Sequence, residues 1–385
     1  MTTTTIRVSE PRELLAYMPY RLGFRPRESA VVMSLRGARG RLGLVARVDL
    51  ADLADPENGP LVASGLATHL WRDGAEQAMV VLYTDDARAG AAWRPEVVAA
   101  AVHALDAIEA RVGPGQVWVV DADRYYNLDC SDEECCPARG WPLDELDSTQ
   151  VSAQMVYTGA SVAGHRGELA EVVPAAKSAR YNVRRVADRW AQRGVEARAK
   201  DRGASDRSAS AAWHVASLRS WGAVVAAVAA GERPAARDLG RVDAALRDSL
   251  LRDAVVLGFV TSVGEASEAV AGPAESASTR IAAAFGSIFD ADGGLSPHQD
   301  HLQSWNQALR EVVAHAPDAG HAPALTLLAF LAWWSGDGAA ANCWLERALE
   351  VDHDYRFAEL LSETLAAGLP PGWARRSATE DAALR

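Results

Sequence analysis

The sequence predicts an α/β domain followed by a mostly α-helical one, and three observations carry that reading. Short, continuous apolar runs of strand length cluster in the first 120 residues, at SAVVMSL, AMVVLY and QVWVV. Stretches with apolar residues at helical spacing alternate with these runs, as they do where strands are joined by crossover helices. From Thr149 onward the strand signals stop and helical periodicity takes over. The expected layout is an α/β domain over 1–148, made of a hairpin plus a βαβαβ-type layered sheet, and an Arg/Ala-rich helical connector over 149–210. A helical domain over 211–371 follows, closed by a helical hairpin, with a disordered tail over 372–385.

The elements follow in order. Glu10-Pro11 opens a short helix whose Leu14, Leu15 and Met18 share a face, and Pro19 is expected to stop or bend it. Gly23 supplies a permissive turn, and Pro26 to Ser29 lead into the first strand. A Gly-rich turn at 37–40 then joins it to RLGLVARVDL, where Leu42, Leu44, Ala46, Val48 and Leu50 alternate, so the two strands form a hairpin. A helix from about Pro60 to Gly74 carries Leu61, Val62, Leu66, Leu70 and Trp71. Ala78 to Tyr83 reads as a buried strand. Pro95 begins a second helix with Val97, Ala101, Leu105 and Ile108 in phase, and Gln116 to Val120 is the next strand.

In the second half, Arg180, Arg184, Arg185, Arg189 and Arg193 recur at helical spacing and read as a solvated face, or else as an anion-binding surface. Lys200 to Ser210 has linker composition. Gly264 to Thr279, rich in Ala, Ser and Glu, reads as a loop or a poor helix, and Ser296-Pro297-His298-Gln299 as a helix cap. Residues 325–355 form a fully apolar helix, a turn at Gly336 and an amphipathic helix with small Ala341 and Ala348. This pair resembles one tetratricopeptide-type helical hairpin, and a single copy does not make a solenoid.

Composition narrows the function. The 385 residues are 49% hydrophobic and 23% charged, enough for two or three domains with well-buried cores without metal or disulfide staples. A net charge of −12 argues against non-specific nucleic-acid binding, which needs a concentrated basic surface. Lys177 and Lys200 are the only lysines, so the basic character comes from Arg. No apolar run reaches membrane-spanning length and MTTTTIRVSE lacks a signal-peptide layout, so a cytoplasmic protein is expected. Four Cys in so long a chain are expected as thiols rather than as a disulfide framework.

Three groups of residues are candidates for function. Cys130, Cys135 and Cys136 read as a structural turn, a reversible disulfide, or a soft-metal site such as zinc. The metal reading lacks a fourth ligand unless Cys343 or His165 supplies it, and adjacent cysteines strain tetrahedral chelation. Asp85, Asp86, Asp121 and Asp123 follow the two buried strands. If those strands are parallel neighbours, the four carboxylates converge where α/β sheets bind ligands and could hold Mg²⁺; otherwise they are turn residues. Trp333, Trp334 and Trp344 would line an exposed groove for a protein partner. His298 and His301 lack an HExxH arrangement, Ser29 lacks a GxSxG, and neither a Walker A loop nor a GxGxxG is present.

The elements Pro19-Tyr20, Leu22-Gly23-Phe24, Pro26-x-x-Ser29, Cys130, Cys135-Cys136-Pro137 and Gly140, with the closing LAFLAWWSGDGAAANCWLERALEVD, resemble a bacterial domain-of-unknown-function family, number 4192. The resemblance covers nearly the whole chain and implies a setting in high-GC Gram-positive bacteria, with no activity attached. The resulting expectation is a cytosolic, non-enzymatic interaction or regulatory module with a protein partner on the helical half, no nucleic-acid or membrane partner and no cofactor. The alternative is a metal-dependent hydrolase or phosphoryl-transfer enzyme using the four aspartates.

Overall fold

The computed structural model describes residues 10–37, 40–90, 92–130, 132, 134–202, 208–290, 293–317 and 320–374. The centre of the Gly-rich turn, the middle of the 200–210 linker and the tail from 375 lie outside the described residues. The chain divides into two units, Met1–Leu169 and Ala170–Arg385. That division falls within the stretch 149–210 expected as a connector.

In the first unit, α1 (Pro11–Leu22) contains Pro19 instead of ending at it. The helix stops at Gly23, whose φ of 78° is the left-handed conformation that glycine adopts without penalty. The chain then bends into β1 (Ser29–Arg36), which pairs antiparallel with β2 (Arg41–Asp49), Ser29 facing Asp49 and Arg36 facing Arg41. After α2 (Leu50–Ala54) and α3 (Gly59–Arg72) comes β3 (Gln77–Tyr83). The short β4 (Arg88–Ala89) and β5 (Ala92–Trp93) form a separate ribbon, and α4 (Pro95–Arg111) leads to β6 (Gly115–Val120). Two short strands, β7 (Arg124–Asn127) and β8 (Trp141–Pro142), complete a six-stranded sheet of order β2-β1-β3-β6-β7-β8.

β3 and β6 are parallel neighbours, Tyr83 standing opposite Val120 at their carboxyl ends, while β1 runs antiparallel to β3. Alternation along the strands divides the apolar residues between two faces. Ala30, Val32, Val80, Leu82, Val117 and Val119 pack under α2, α3 and α4 in one core. Tyr83, Trp118 and Val120 point to the other face, where Trp118, Tyr125 and Trp141 associate and α1 meets α5 (Gln150–Tyr157).

The second unit is helical. α6 (Lys177–Asp201) buries Val183, Ala187, Trp190, Gly194 and Ala197 along one stripe and leaves Arg184, Arg185, Arg189 and Arg193 exposed, so the arginine repeat is a solvated face. α7 (Ser208–Ala229), α8 (Ala236–Ala245) and α9 (Ser249–Val260) follow. Residues 264–279, expected as a loop or poor helix, belong to α10 (Val263–Ala271) and α11 (Ala274–Phe289). Ser262 caps the first by accepting from the Glu265 amide at 3.1 Å, and Pro273 precedes the second. α12 (Gln299–His315) starts after His298, and the expected cap at Ser296 is not formed.

α13 (Ala322–Trp334) is buried at every position, as a helix apolar on all sides must be, and pairs with α14 (Gly338–Val351) through a turn at Gly336. α15 (Arg356–Ala366) follows. Trp333, Trp334 and Trp344 are 3%, 1% and 1% exposed, which overturns the expected indole-lined groove. Phe330 packs against Trp333 and Trp334, and both indole N–H groups donate to backbone carbonyls, of Leu369 at 2.9 Å and Leu295 at 2.7 Å. These rings are core residues that also tie down flanking segments. Among the described residues no helix is long and apolar enough to cross a membrane.

Candidate functional site

Where β3 and β6 end, the first unit opens into a cleft of about 640 Å³. Its lining includes the end of α1 and the turn after it, with Pro19, Tyr20, Arg25 and Arg27, and also Asp121, Asp144 and Asp147. Gly164 and His165 lie along its rim. They belong to a segment fixed by a two-way backbone exchange, Arg25 N–H donating to Ala163 at 3.0 Å and Ala163 N–H to Gly23 at 2.8 Å. A carboxyl-end crevice in a sheet with parallel strands is where such folds hold ligands.

Several buried polar groups shape this cleft. The Glu13 carboxylate, 9% exposed, accepts from the first amides of α5, Gln150 at 3.3 Å and Val151 at 3.0 Å, joining α1 to α5 through the positive end of a helix. Glu28 has φ of 40°, a left-handed conformation that costs a non-glycine residue about 1–2 kcal/mol. It is held there because its Oε1 accepts from Thr84 Oγ1 at 2.7 Å and Asp85 N at 2.9 Å, and its carbonyl accepts from Leu50 N at 3.0 Å. Ser29 Oγ, wholly buried, donates to the Arg27 carbonyl at 2.5 Å and accepts from Arg47 at 2.9 Å, so this serine pins the turn.

Tyr83 is the exception in this set. It lines the cleft and is 7% exposed, yet its hydroxyl has no hydrogen-bond partner among the described residues. Burial pushes its pKa up, so it stays a neutral donor. Leaving such a group unpaired costs about 1–3 kcal/mol.

The four aspartates, read from the sequence as a possible Mg²⁺ site or as turn residues, are only partly brought together. Asp85 and Asp121 do line the one cleft, as their parallel strands require. Asp121 Oδ1, however, accepts from the Asp123 and Arg124 amides at 3.0 and 2.7 Å and serves the turn into β7, while Asp85 lies 3.7 Å from Arg27. Among the described residues, Asp85, Asp86, Asp121 and Asp123 supply no group of three close ligand atoms. Nor do His298 and His301, whose rings lie at the start of α12 with His301 against Trp305.

The cysteines do converge. One ligand atom from each of Cys130, Cys135 and Cys136 lies within 4.8 Å of the others, with Sγ separations of 3.7 Å between Cys130 and Cys135 and 3.2 Å between Cys135 and Cys136. None is in a disulfide. Asn127 Oδ1 accepts from the Asp129 and Cys130 amides at 2.9 and 3.2 Å, and the Asp132 carbonyl accepts from Cys136 N at 2.6 Å, closing the loop on itself. Hydrogen bonding from Cys136 pulls Cys130 below the ordinary thiol value. Desolvation and its bonds to the other two thiols push Cys136 up to about 12. Gly140, at φ of 69°, has to be glycine, because a Cβ there would sit 2.4 Å from the Tyr126 ring. Of the two outside ligands considered from the sequence, His165 is at the cleft rim 3.3 Å from Glu168, and Cys343 is buried in α14.

Nothing in the sequence marks Tyr83 or Glu28 as functional, since Tyr is common in buried strands and Glu is not a left-handed residue by preference. No curated protein and no solved structure matches the chain. The model of the family described as Domain of unknown function (DUF4192) matches residues 11–372, nearly the whole chain, and the protein belongs to that family.

Proposed function

We propose that the chain is a non-catalytic regulatory module that binds a small organic molecule in the cleft at the carboxyl ends of β3 and β6. The observation that supports this most is the position of the cleft, at the carboxyl ends of two adjacent parallel strands, where sheets of this kind hold ligands. The volume, about 640 Å³, suits a molecule of cofactor or metabolite size. The lining carries both bases, Arg25 and His165, and acids, Asp121, Asp144 and Asp147, a mixture that favours a dipolar ligand with an anionic group and an amine. Binding is favoured over covalent catalysis because the nearby hydroxyls are already committed: Ser29 to the Arg27 carbonyl, Ser152 to the Leu146 carbonyl and Thr84 to Glu28.

Thermal denaturation against free amino acids, amino-sugar phosphates and nucleoside monophosphates tests the reading. One of these dipolar classes is expected to raise the midpoint of the wild-type protein, and not that of Ala16→Trp, whose indole would fill the cleft. Equal shifts in wild type and Ala16→Trp, or no shift with any of the three classes, would overturn it.

A further inference from the structure

The loop after β7 converges three thiols beside a second, smaller cavity, and the cleft plays no part in explaining it. We propose that Cys130, Cys135 and Cys136 bind one soft, thiophilic metal ion, Zn²⁺ or Cu⁺, as a three-thiolate site whose remaining coordination position opens to the cavity under Arg88. Two thiolates on one zinc, with bonds of about 2.3 Å at the tetrahedral angle, stand about 3.8 Å apart. Cys130 and Cys135 are already 3.7 Å apart. Cys135 and Cys136, at 3.2 Å, need to open by about 0.6 Å to meet that spacing, a movement available to Cys135 because its side chain is exposed. The strain expected of adjacent cysteines is therefore small here, since both sulfurs already turn to the same side of the loop.

Hydrogen bonds hold the described residues of the loop in place. The Asn127 carboxamide fixes the Cys130 end, the Asp132 carbonyl fixes the Cys136 end, and Asp132 Oδ1 accepts from Glu134 N at 3.0 Å in between. Asp132 and Glu134 are exposed acids that raise the local concentration of cations. Three sulfurs meet here where a disulfide would use two and leave one over, which favours a metal. Thiolates are also the donors that select zinc and copper(I) over magnesium or calcium.

The cavity of about 190 Å³ beside Cys130 and Cys136 gives the open position its character. It is walled by Arg88, whose guanidinium lies 4.0 Å from the Trp93 ring centroid and 5.1 Å from that of Tyr126. Trp93 meets Tyr126 edge-on at 5.1 Å, and Gly140 lets Tyr126 sit close beneath it. A cation held on two aromatic faces next to a three-ligand metal suits a small anion as the fourth ligand.

The full chain, reduced and stripped with a chelator, is titrated anaerobically with Co²⁺ as a spectroscopic probe, then with Zn²⁺ and with Cu⁺ against competing chelators. One equivalent of Co²⁺ is expected to give thiolate-to-metal charge transfer with tetrahedral visible bands, displaced by Zn²⁺ or by Cu⁺ according to the native ion. Adding cyanide should shift those bands, and less so in Arg88→Ala. Each of Cys130→Ser, Cys135→Ser and Cys136→Ser should weaken binding by about tenfold or more, with Cys343→Ser unchanged. Absence of a charge-transfer band in the wild-type titration overturns the proposal whether or not any variant folds. So does retention of metal by the triple serine variant, or conversion of the reduced, metal-exposed protein to a Cys130–Cys135 disulfide that carries no ion.

Discussion

The two units bury polar groups for opposite ends. In the helical unit they are spent on packing: Trp190 Nε1 donates to Ser217 at 2.9 Å, Ser220 to Asp238 at 3.0 Å, and His321 sits wholly enclosed between two backbone partners. At the carboxyl edge of the α/β unit, Tyr83 is left unpaired and Glu28 is held in a strained backbone conformation, beside an open cleft. Strained and unpaired groups of this kind cluster at functional sites often enough to direct a search there. The open cleft lies in the first unit, while the second holds most of the tryptophans.

The largest expected effect is in the helical unit. Trp334→Ala empties a site in contact with Phe330 and removes the bond to Leu295, and should cost about 3–5 kcal/mol, read as a fall in the denaturant midpoint. If that variant unfolds as easily as wild type, the indoles are not the core and the contrast fails. Glu13→Gln keeps shape but removes the charge from the amino end of α5, and should cost about 1–2 kcal/mol in the same measurement.

His321 sharpens the comparison through pH. Its Nδ1 accepts from Ala324 N at 3.1 Å, so its Nε2 carries the proton donated to the Asp243 carbonyl at 2.9 Å, and the ring is neutral. Burial holds its pKa below the ordinary value of 6.5. The unfolded chain therefore takes up the proton first as pH falls through that value, and stability declines until the folded ring titrates as well. Urea midpoints between about pH 7.5 and about pH 5 should fall less steeply for His321→Gln than for wild type.

The smallest effect concerns Glu28. Glu28→Gly and Glu28→Ala both lose the carboxylate, but only glycine relieves the left-handed backbone, so the glycine variant should be the more stable by about 1 kcal/mol. Equal stabilities would mean the turn relaxes and no strain is stored there.

The strands of the first unit were legible because each is a short apolar run bounded by turn residues, and the parallel pairing of β3 and β6 follows from the helix between them. β8 was not, being two residues long and held by Trp141 pairing with Tyr125 rather than by a hydrophobic pattern. Residues 264–279 stayed open between loop and helix because Ala, Ser and Glu suit both, and only the Ser262 cap and packing decide between them. The tryptophans misled because composition records how much indole a chain has and not which side of it meets water. Asp121 was placed at the right end of the right strand, but whether an aspartate faces a ligand or its own turn depends on backbone angles that one sequence does not display.

Glu28 also has a kinetic consequence. One residue closes the amides of Asp85 and Leu50, the first at the end of β3 and the second at the start of α2. A single local opening would expose both N–H groups to solvent, so their deuterium uptake should rise and fall together, on one clock. A molecule bound in the cleft against Arg27 and Asp85 should slow that clock at two places in the sequence at once, and only one of them is a cleft wall.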